Sequence, residues 1–404
     1  MDKYGESAKI AIDWLTNSKI RNLDETNTMA FGSFNKYYDL HKKSCPCAYT
    51  EITAYAIELF LDLFRRTNDQ KYYEVARLAG EWIGRMQYDG TDGNAIGGFL
   101  ECLYLHDSSK AYNIYSFDNA IIIGALSDLY KKTGFEKYSR LAAEAIEWLF
   151  RVMCNSDCSF KALYDLNTKS FSNKARSWLI LMPKSKRLRN MWYRSCGCHH
   201  GKMAIGLLKY YSIHKDPQLL ENVRSLLQWL LSQQDREGYF KVNPESNAVF
   251  LHTHCYATEG LLYAYSQLKD AELYEAARKA GDWLIKIQRS DGSLPAWFNN
   301  GQVYPSVDSS AVAQAIRLWS VLYSGTGDVH YYNSTKKALK YLLSMQCTEL
   351  SSDMLGGFYL VEFDFKFIKY RIKSLYSWPT MFAVHALNLA NDILSRKVQE
   401  SELW

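Results

Sequence analysis

The feature that most constrains the fold of this 404-residue chain is a helical pattern that recurs six times. Each copy has an aromatic residue among aliphatic and small ones, as in AIDWL, AGEWI, AIEWL, LLQWL, AGDWL and LKYLL. The aromatic residues at the equivalent position are Trp14, Trp82, Trp148, Trp229, Trp283 and Tyr341. Repetition of this kind is typical of a fold assembled from one repeated supersecondary unit.

A second class of helix alternates with the first and has a wider apolar face with more small residues. The pattern predicts these helices over residues 48–67, 115–133, 197–214, 252–268, 307–324 and 377–395. Short polar breaks such as TNDQ and TGFE separate the two classes, as they do between antiparallel helices. The first helix, 6–17, has no partner before it and the last has none after it, so pairing the two closes a ring.

Apolar residues on both faces of the second class predict an inner ring of six helices buried by an outer ring of six. The sequence therefore predicts an all-α (α/α)6 toroid. We expect residues 1–404 to form one domain, with a longer inserted loop at about 154–194. An open solenoid of helix pairs is the alternative, but it exposes an apolar terminal repeat unless it is capped.

The N-termini of the inner helices should surround one mouth, and sites are commonly built on segments that a rigid scaffold positions. Three carboxylates there are candidate catalytic residues: Asp118, Glu259 and Asp308. An Asp at a helix start is also an ordinary N-cap, so Asp118 and Asp308 have a structural alternative. Glu259 lies inside an apolar helix and must face a wet cavity or find a partner.

Polar and aromatic residues from the same segments are candidates for substrate binding. They are Glu51, Tyr55, Asn119, His200, His252, His254, Tyr256, Trp297 and Trp378, and the rings of Tyr115 and Trp192 are further stacking candidates. Amphipathic rings stack on sugars, although they pack cores equally well. The alternation of His252, His254 and Tyr256 suggests an extended lead-in to the fourth inner helix.

The stretch SCGCHHG places two cysteines and two histidines in five consecutive positions, 196–200. A further His–Cys pair, His254 and Cys255, begins the next inner helix. Zinc prefers nitrogen and sulfur ligands, so Cys198 (or Cys196), His199 (or His200), His254 and Cys255 form an alternative metal set. The other interpretation is that these residues pack the core and that the protein needs no cofactor.

Composition excludes some classes of function. The net charge of +5 is small and scattered, which leaves no nucleic-acid footprint. The one basic cluster, in MPKSKRLRN, is a candidate for phosphate or uronate recognition and contains Lys184, Lys186, Arg187 and Arg189.

The chain has no run of eighteen apolar residues, so the sequence predicts no membrane-spanning helix. The start has no leader pattern, and nine irregularly spaced cysteines suit a reducing compartment, so we expect a cytoplasmic protein.

The segments YTEITAYAIELFLDLF, YSFDNAIIIGAL, SCGCHHGKMAIGLL, LHTHCYATEGLLYAY and SSAVAQAIRLW resemble, in that order, the (α/α)6 toroid proteins found with polysaccharide biosynthesis functions. Those proteins are similar to glycosidase toroids, including the unsaturated glucuronyl hydrolases. SFDNA is similar to the acidic helix start that carries their catalytic Asp, which implies that Asp118 is an acid or base. PSVDSSAVAQAI is similar to their Asp-Ser-Ser/Thr-Ala helix start.

Two other toroid families bear on the interpretation. The CHHG and HC stretches resemble the zinc-binding Cys-Gly and Cys-His segments of lanthionine-synthetase-like cyclases, but in a different order. IQRSDGSLPAWF is similar to the Gln/aromatic repeat of terpene cyclases. Terpene cyclases need an acidic run such as Asp-x-Asp-Asp, and this chain has none.

The sequence thus predicts a glycoside hydrolase or uronate-acting enzyme that acts on an oligosaccharide or polysaccharide. Asp118 would transfer a proton, with Glu259 or Asp308 as the second carboxylate that glycoside hydrolysis requires. His254 and His200 would position the substrate. A zinc-dependent lanthionine-synthetase-like cyclase is one alternative. A non-catalytic glycan-binding or scaffold protein, which would tolerate loss of the carboxylates, is the other.

Overall fold

The computed structural model describes residues 3–172, 192–365 and 368–394, and in these ranges twelve α-helices alternate between two rings. The outer helices are α1 (Lys3–Asn17), α3 (Gln70–Gly84), α5 (Glu136–Trp148), α7 (Pro217–Ser232), α9 (Ala271–Ile287) and α11 (Val329–Ser344). The inner helices are α2 (Thr50–Thr67), α4 (Ser116–Thr133), α6 (Met203–His214), α8 (Leu251–Leu268), α10 (Ser309–Thr326) and α12 (Ser377–Leu394). This confirms the predicted (α/α)6 toroid.

One inner helix and one outer helix have irregular ends. The third inner helix begins with a 3₁₀ segment, Cys198–Lys202, that leads into α6, and a further 3₁₀ turn covers Trp192–Arg194. A π-helical turn, Leu149–Met153, ends α5. The opening CHHGK stretch is therefore part of the inner ring.

The ring is closed by the two ends of the chain. Helix α1 packs against α12. The Ser7 hydroxyl in α1 donates to Oε1 of Gln346 at 2.6 Å, and Nε2 of Gln346 donates back to the Ser7 carbonyl at 3.0 Å. Because the first and last repeats cover each other, no apolar terminal repeat is left, and the open solenoid is wrong.

The repeated residues hold the tails of the outer helices in place. The indole N–H groups of Trp14, Trp82 and Trp148 donate to loop carbonyls at 2.8–2.9 Å. A glutamine after four of the outer helices donates both to its own tail and to a carbonyl of the next outer helix. These glutamines are Gln87, Gln234, Gln288 and Gln346. The repeat therefore orders the loops as well as the rings.

Short antiparallel strands surround the mouth, where only loops were expected. Five of them run directly into an inner helix: β2 (Cys47–Tyr49), β4 (Asn113–Tyr115), β7 (Ala248–Phe250), β10 (Ser306–Asp308) and β14 (Ser374–Tyr376). The others are β1 (Tyr37–Asp39), β3 (Cys102–Tyr104), β5 (Leu163–Asp165), β6 (Ser170–Ser172), β8 (Trp297–Asn299), β9 (Gln302–Val303), β11 (Phe358–Tyr359), β12 (Val361–Phe365) and β13 (Ile368–Arg371). Strands of two to five residues are too short to show a period of two in the sequence.

The strands form small sheets in the orders β1-β14-β11, β10-β12-β13, β2-β3, β4-β5-β6 and β7-β8-β9. Within them, Tyr49 pairs with Cys102, Tyr115 with Leu163, and Phe250 with Trp297. Each sheet fixes the entry of an inner helix, so the first helical turns are held in defined positions around the mouth.

The basic cluster Lys184, Lys186, Arg187 and Arg189 lies outside the described residues, as does much of the loop expected at 154–194. Of the helices that the structure describes, none combines the length and the apolar character needed to cross a membrane.

Candidate active site

A cavity of about 340 Å³ opens at the mouth of the ring, where the strands enter the inner helices. Side chains from separate repeats form its wall. Eight of the sequence candidates line it: Glu51, Tyr115, Asp118, Trp192, His252, Tyr256, Asp308 and Trp378. Three carboxyl groups, one imidazole and four aromatic side chains therefore meet in one concave space, as a ligand site requires.

Two of the carboxyl groups share the cavity as a titrating pair. Asp118 lies in the first turn of α4, and its buried Oδ2 has no hydrogen-bond partner among the described residues. Burial, and then the charges of Glu51 and Glu101, raise the pKa of Asp118 well above its usual range. Burial raises the pKa of Glu51 to about 7, against a hydrogen bond with Tyr55 and the charge of Lys36. A carboxyl group whose pKa is raised in this way keeps its proton to a higher pH than an ordinary Asp, as a general acid requires.

Asp308 lines the same cavity, but its carboxylate caps a helix. Oδ1 accepts hydrogen bonds from the backbone N–H of Ser310 at 2.9 Å and of Ala311 at 3.4 Å, and from the Ser310 hydroxyl at 2.5 Å. This is the structural alternative that an Asp at a helix start allows. The predicted catalytic role of Asp308 therefore has less support from the geometry than that of Asp118.

Glu259, the third predicted catalytic carboxylate, does not line the mouth cavity. It faces a larger cavity of about 890 Å³ toward the C-terminal ends of the inner helices. Oε2 accepts from Lys202 at 2.9 Å and from Gln314 at 3.2 Å, and Oε1 accepts from Arg317 at 3.0 Å. Burial opposes ionisation, but Lys202 and Arg317 hold the pKa of Glu259 below its ordinary value. The buried carboxylate has found partners, which corrects its assignment to the mouth.

The predicted extended lead-in is wrong, because α8 already begins at Leu251. Residues four apart share one face of a helix, whereas residues two apart do not. His252 and Tyr256 therefore face the cavity together, and His254 faces the outer ring. Nδ1 of His254 accepts from the Phe240 N–H at 3.2 Å and Nε2 lies 3.4 Å from the Ala280 carbonyl. Backbone groups thus occupy both nitrogens of His254, which corrects its predicted contact with substrate.

His252 is bonded on one side of its ring only. Nδ1 lies 2.6 Å from Oε1 of Gln314 and 3.0 Å from the hydroxyl of Ser310. Nε2 has no hydrogen bond to a described residue. Burial lowers the pKa of His252, against the charge of Asp308, so the ring is neutral near pH 7. A neutral imidazole with one free nitrogen at a cavity can accept a proton from a bound molecule.

Three of the residues predicted to contact substrate lie outside the mouth cavity. The Tyr55 hydroxyl donates to the Tyr256 hydroxyl at 3.1 Å, and its side chain lines the larger cavity. Asn119 accepts from the Phe99 N–H and donates to the Tyr115 carbonyl, each at 2.8 Å. Trp297 stacks on Phe250 with ring centroids 4.5 Å apart. None of the three lines the mouth cavity, because each completes a contact between repeats.

The cysteine–histidine stretch is buried beside the cavity. His199 and His200 are fully buried with ring centroids 4.2 Å apart, and none of their ring nitrogens has a hydrogen-bond partner among the described residues. Burial lowers the pKa of His200 to about 3. His200 does not line the mouth cavity, so its predicted contact with substrate is not supported by the geometry.

The same residues do not fit a zinc site. Within the described ranges, no three His, Cys, Asp or Glu side chains are placed to hold a metal ion together. Both nitrogens of His254 are used by backbone groups, and Sγ of Cys255 points to the Ala311 carbonyl at 3.9 Å. The set Cys198, His199, His254 and Cys255 is therefore not assembled as ligands.

Sequence reasoning missed part of the cavity wall. The missed charged and tyrosine residues are Lys36, Tyr49, Glu101, Tyr193, Arg194 and Tyr376. Nζ of Lys36 lies 4.4 Å from the centre of the Tyr49 ring, and the buried Nη1 of Arg194 has no hydrogen-bond partner among the described residues. Lys36 comes from a segment without helical periodicity, which left no pattern to place it. Glu101 ends the GGFLE tail, and its position at a tail end was the only available signal.

The fold is shared with sugar-converting enzymes of known structure. Cellobiose 2-epimerase from Bacillus thermoamylovorans B4167 is 12% identical, with a TM-score of 0.76 over 96% of this chain and 100% of that one. A D-mannose isomerase is 13% identical, with a TM-score of 0.73 over 97% of each chain. An unsaturated glucuronyl hydrolase specific for heparin is 11% identical, with a TM-score of 0.65 over 97% of this chain and 98% of that one.

These likenesses establish the fold and confirm the expected similarity to toroids such as the unsaturated glucuronyl hydrolases. No family model matches the sequence, and no curated protein is significantly similar to it. Function therefore has to be inferred from the site itself.

Proposed function

We propose that this protein is a carbohydrate-active enzyme that binds a saccharide in the mouth cavity and transfers protons through Asp118. One observation carries the proposal: the carboxyl groups of Asp118, which is buried, and Glu51, which is half-buried, line one cavity together with aromatic rings. The solved toroids named above act on sugars according to their names, which supports the same class of substrate here.

The carboxyl pair suits cleavage of a glycosidic or related bond. Asp118, whose pKa is raised by burial and by nearby carboxylates, would donate its proton to the departing oxygen, and Glu51, whose pKa is about 7, would serve as base or nucleophile when ionised. The rings of Trp192, Tyr256 and Trp378 offer faces for sugar stacking. We therefore propose a glycoside hydrolase or uronate-acting enzyme, with Glu51 in the place that the sequence assigned to Glu259 or Asp308.

A second candidate is a sugar epimerase or isomerase, which His252 favours. The His252 ring lines the cavity and its Nε2 has no hydrogen-bond partner among the described residues, so it could take a proton from the carbon beside a sugar carbonyl. Asp118 would return a proton, and no bond between sugar units would break. The names of two solved neighbours, an epimerase and an isomerase, support this alternative.

The two chemistries can be separated in one experiment. The purified protein is incubated in D₂O with cellobiose, with mannose and with an unsaturated glucuronyl disaccharide. Bond cleavage releases new reducing ends. Epimerisation introduces deuterium at C2 and isomerisation to a ketose introduces it at C1, in both cases without cleavage. Asp118→Asn should abolish the reaction, and the matched control Asp89→Asn, at an exposed position, should not.

Binding without turnover would contradict both enzymatic proposals. If saccharides bind by calorimetry, no product forms, and the double variant Glu51→Gln/Asp118→Asn binds as tightly as the parent, the protein is a glycan-binding or scaffold toroid instead.

A further inference from the structure

The side chain of Gln314 joins two residues that face different cavities. Its Nε2 donates to Oε2 of Glu259 at 3.2 Å, and its Oε1 lies 2.6 Å from Nδ1 of His252. All three side chains are buried. Because buried polar groups must be matched donor to acceptor, each bond in this chain restricts the next.

Glu259 determines how the amide of Gln314 is turned. Lys202 and Arg317 donate to the carboxylate of Glu259, so it is ionised and can only accept hydrogen bonds. The NH₂ group of Gln314 must therefore point to Glu259, and its carbonyl oxygen must point to His252. A carbonyl oxygen can only accept, so the proton between Gln314 and His252 belongs to Nδ1 of His252.

Ser310 imposes the same condition independently. Its hydroxyl donates to Oδ1 of Asp308 at 2.5 Å, and Asp308 is held as the N-cap of α10. The Ser310 oxygen then presents a lone pair to Nδ1 of His252 at 3.0 Å. Two anions, Glu259 and Asp308, thus act through two different side chains on one nitrogen.

We propose that Gln314 and Ser310 are positioning residues that hold His252 as the Nδ1–H tautomer, with the lone pair of Nε2 facing the mouth cavity. Glu259 and Asp308 fix the orientation of these two residues. The use of that lone pair as a base rests on the proposed function, but the tautomer does not. Two of the three carboxylates that the sequence marked as catalytic thereby act on a histidine.

A histidine with a merely structural role in the same helix looks different. His254, two residues further on, has both ring nitrogens bonded to backbone groups. His252 has two acceptors crowded at Nδ1, while the described residues leave Nε2 open on the cavity side. The contrast within α8 indicates that the ring of His252 is oriented toward something other than the protein.

The test is ¹⁵N NMR of the full chain labelled at its nine histidines, which reports the protonated nitrogen of each ring. His252→Asn identifies the signals of His252. In the parent at pH 7.5 we expect Nδ1 protonated and Nε2 unprotonated. In Gln314→Met/Ser310→Ala, which removes both acceptors, we expect a shift toward the Nε2–H form. Gln288→Met, which removes a glutamine bonded only to backbone carbonyls, should leave the His252 signals unchanged.

An Nε2–H ring in the parent, or an unchanged tautomer in the double variant, overturns the proposal. Unchanged signals from the other histidines show that the double variant is folded. If it fails to fold, the two single variants are compared in the same way.

On a sugar that the parent turns over, Gln314→Met/Ser310→Ala should reduce kcat about 100-fold with little change in KM. This is the effect expected when the general base is held in the wrong tautomer. The expected tautomer without turnover of any sugar would leave this inference standing and contradict the proposed function. Turnover of a sugar by a parent protein whose His252 is the Nε2–H tautomer would overturn this inference and leave the proposed function standing.

Discussion

Nζ of Lys202 lies 2.9 Å from Oε2 of Glu259, and each side chain is less than a tenth exposed, at 7% and 3%. The ammonium group also lies 4.3 Å from the centre of the Tyr256 ring and 4.9 Å from that of Tyr55. The pair lines the larger cavity, whereas Tyr256 lines the mouth cavity. Lys202 therefore connects the ion pair to the wall of the candidate site through the Tyr256 ring.

Glu259→Gln should lower the free energy of unfolding by about 3–5 kcal/mol, because it leaves the buried Lys202 and the partly buried Arg317 beside an uncharged group. Urea unfolding of the parent and the variant measures the change. The matched control is Glu275→Gln, whose partner Arg278 is 39% exposed, and it should cost less than about 1 kcal/mol. Equal unfolding midpoints for the Glu259 variant and the parent would contradict the structural role.

Asp118→Asn should show the opposite behaviour. Burial and the nearby carboxylates favour the neutral form of the parent carboxyl, and its Oδ2 has no partner among the described residues. An amide of the same size should therefore change stability by less than about 1 kcal/mol. The loss of the proton donor should lower kcat by roughly 10²- to 10⁴-fold. Steady-state kinetics and urea unfolding of the same preparation measure both. If Asp118→Asn unfolds at a lower urea concentration than the parent but keeps the parent's kcat, Asp118 has a structural role and is not the proton donor.

Because of Glu51, the free energy of unfolding should decrease as pH rises from about 4.5 to about 7. The pKa of Glu51 is about 7 in the folded chain against an ordinary value of 4.5, so the folded state binds more protons between these values. The unfolded chain then releases its proton first, and the native state loses on the order of 3 kcal/mol between about pH 4.5 and 7. Unfolding free energies measured across this range should show a smaller decrease in Glu51→Gln. If the free energy of unfolding changes equally with pH in the parent and in Glu51→Gln, the pKa of Glu51 is not raised in the folded chain.

His254 should contribute to acid denaturation. Burial lowers its folded pKa to about 3, against an ordinary value of 6.5, so the unfolded state takes up the proton first as pH falls. Stability from this residue is complete above about pH 6.5 and is lost progressively toward pH 3. His254→Leu should cost about 2–3 kcal/mol at pH 7.5 through the two lost hydrogen bonds, and it should flatten the acid limb of the unfolding curve.

The same variant tests the correction of the predicted site. His254→Leu should keep the parent's KM for any saccharide that is turned over, because His254 does not line the mouth cavity. A large rise in KM without loss of stability would restore His254 as a contact with substrate.

The sequence by itself determined the architecture, because that information is local and repeated. The spacing of apolar residues defines each helix and its buried face, and six copies of one pattern define the ring. The unpaired helices at 6–17 and 377–395 even indicated its closure, which the bonds between Ser7 and Gln346 now show. The starts of the inner helices located the mouth for the same reason.

Only the tertiary structure decided what the individual side chains do. His252 and His254 differ in role because α8 begins at Leu251, and an extended segment there would have turned both to one side. Glu259 is an ion-paired anion because Lys202 and Arg317 arrive from two other repeats. The pKa of Asp118 is raised because the residue is buried and because Glu51 and Glu101 lie near it. Hydrogen-bond partners, burial and pKa shifts depend on residues far away in the chain, which no local pattern records.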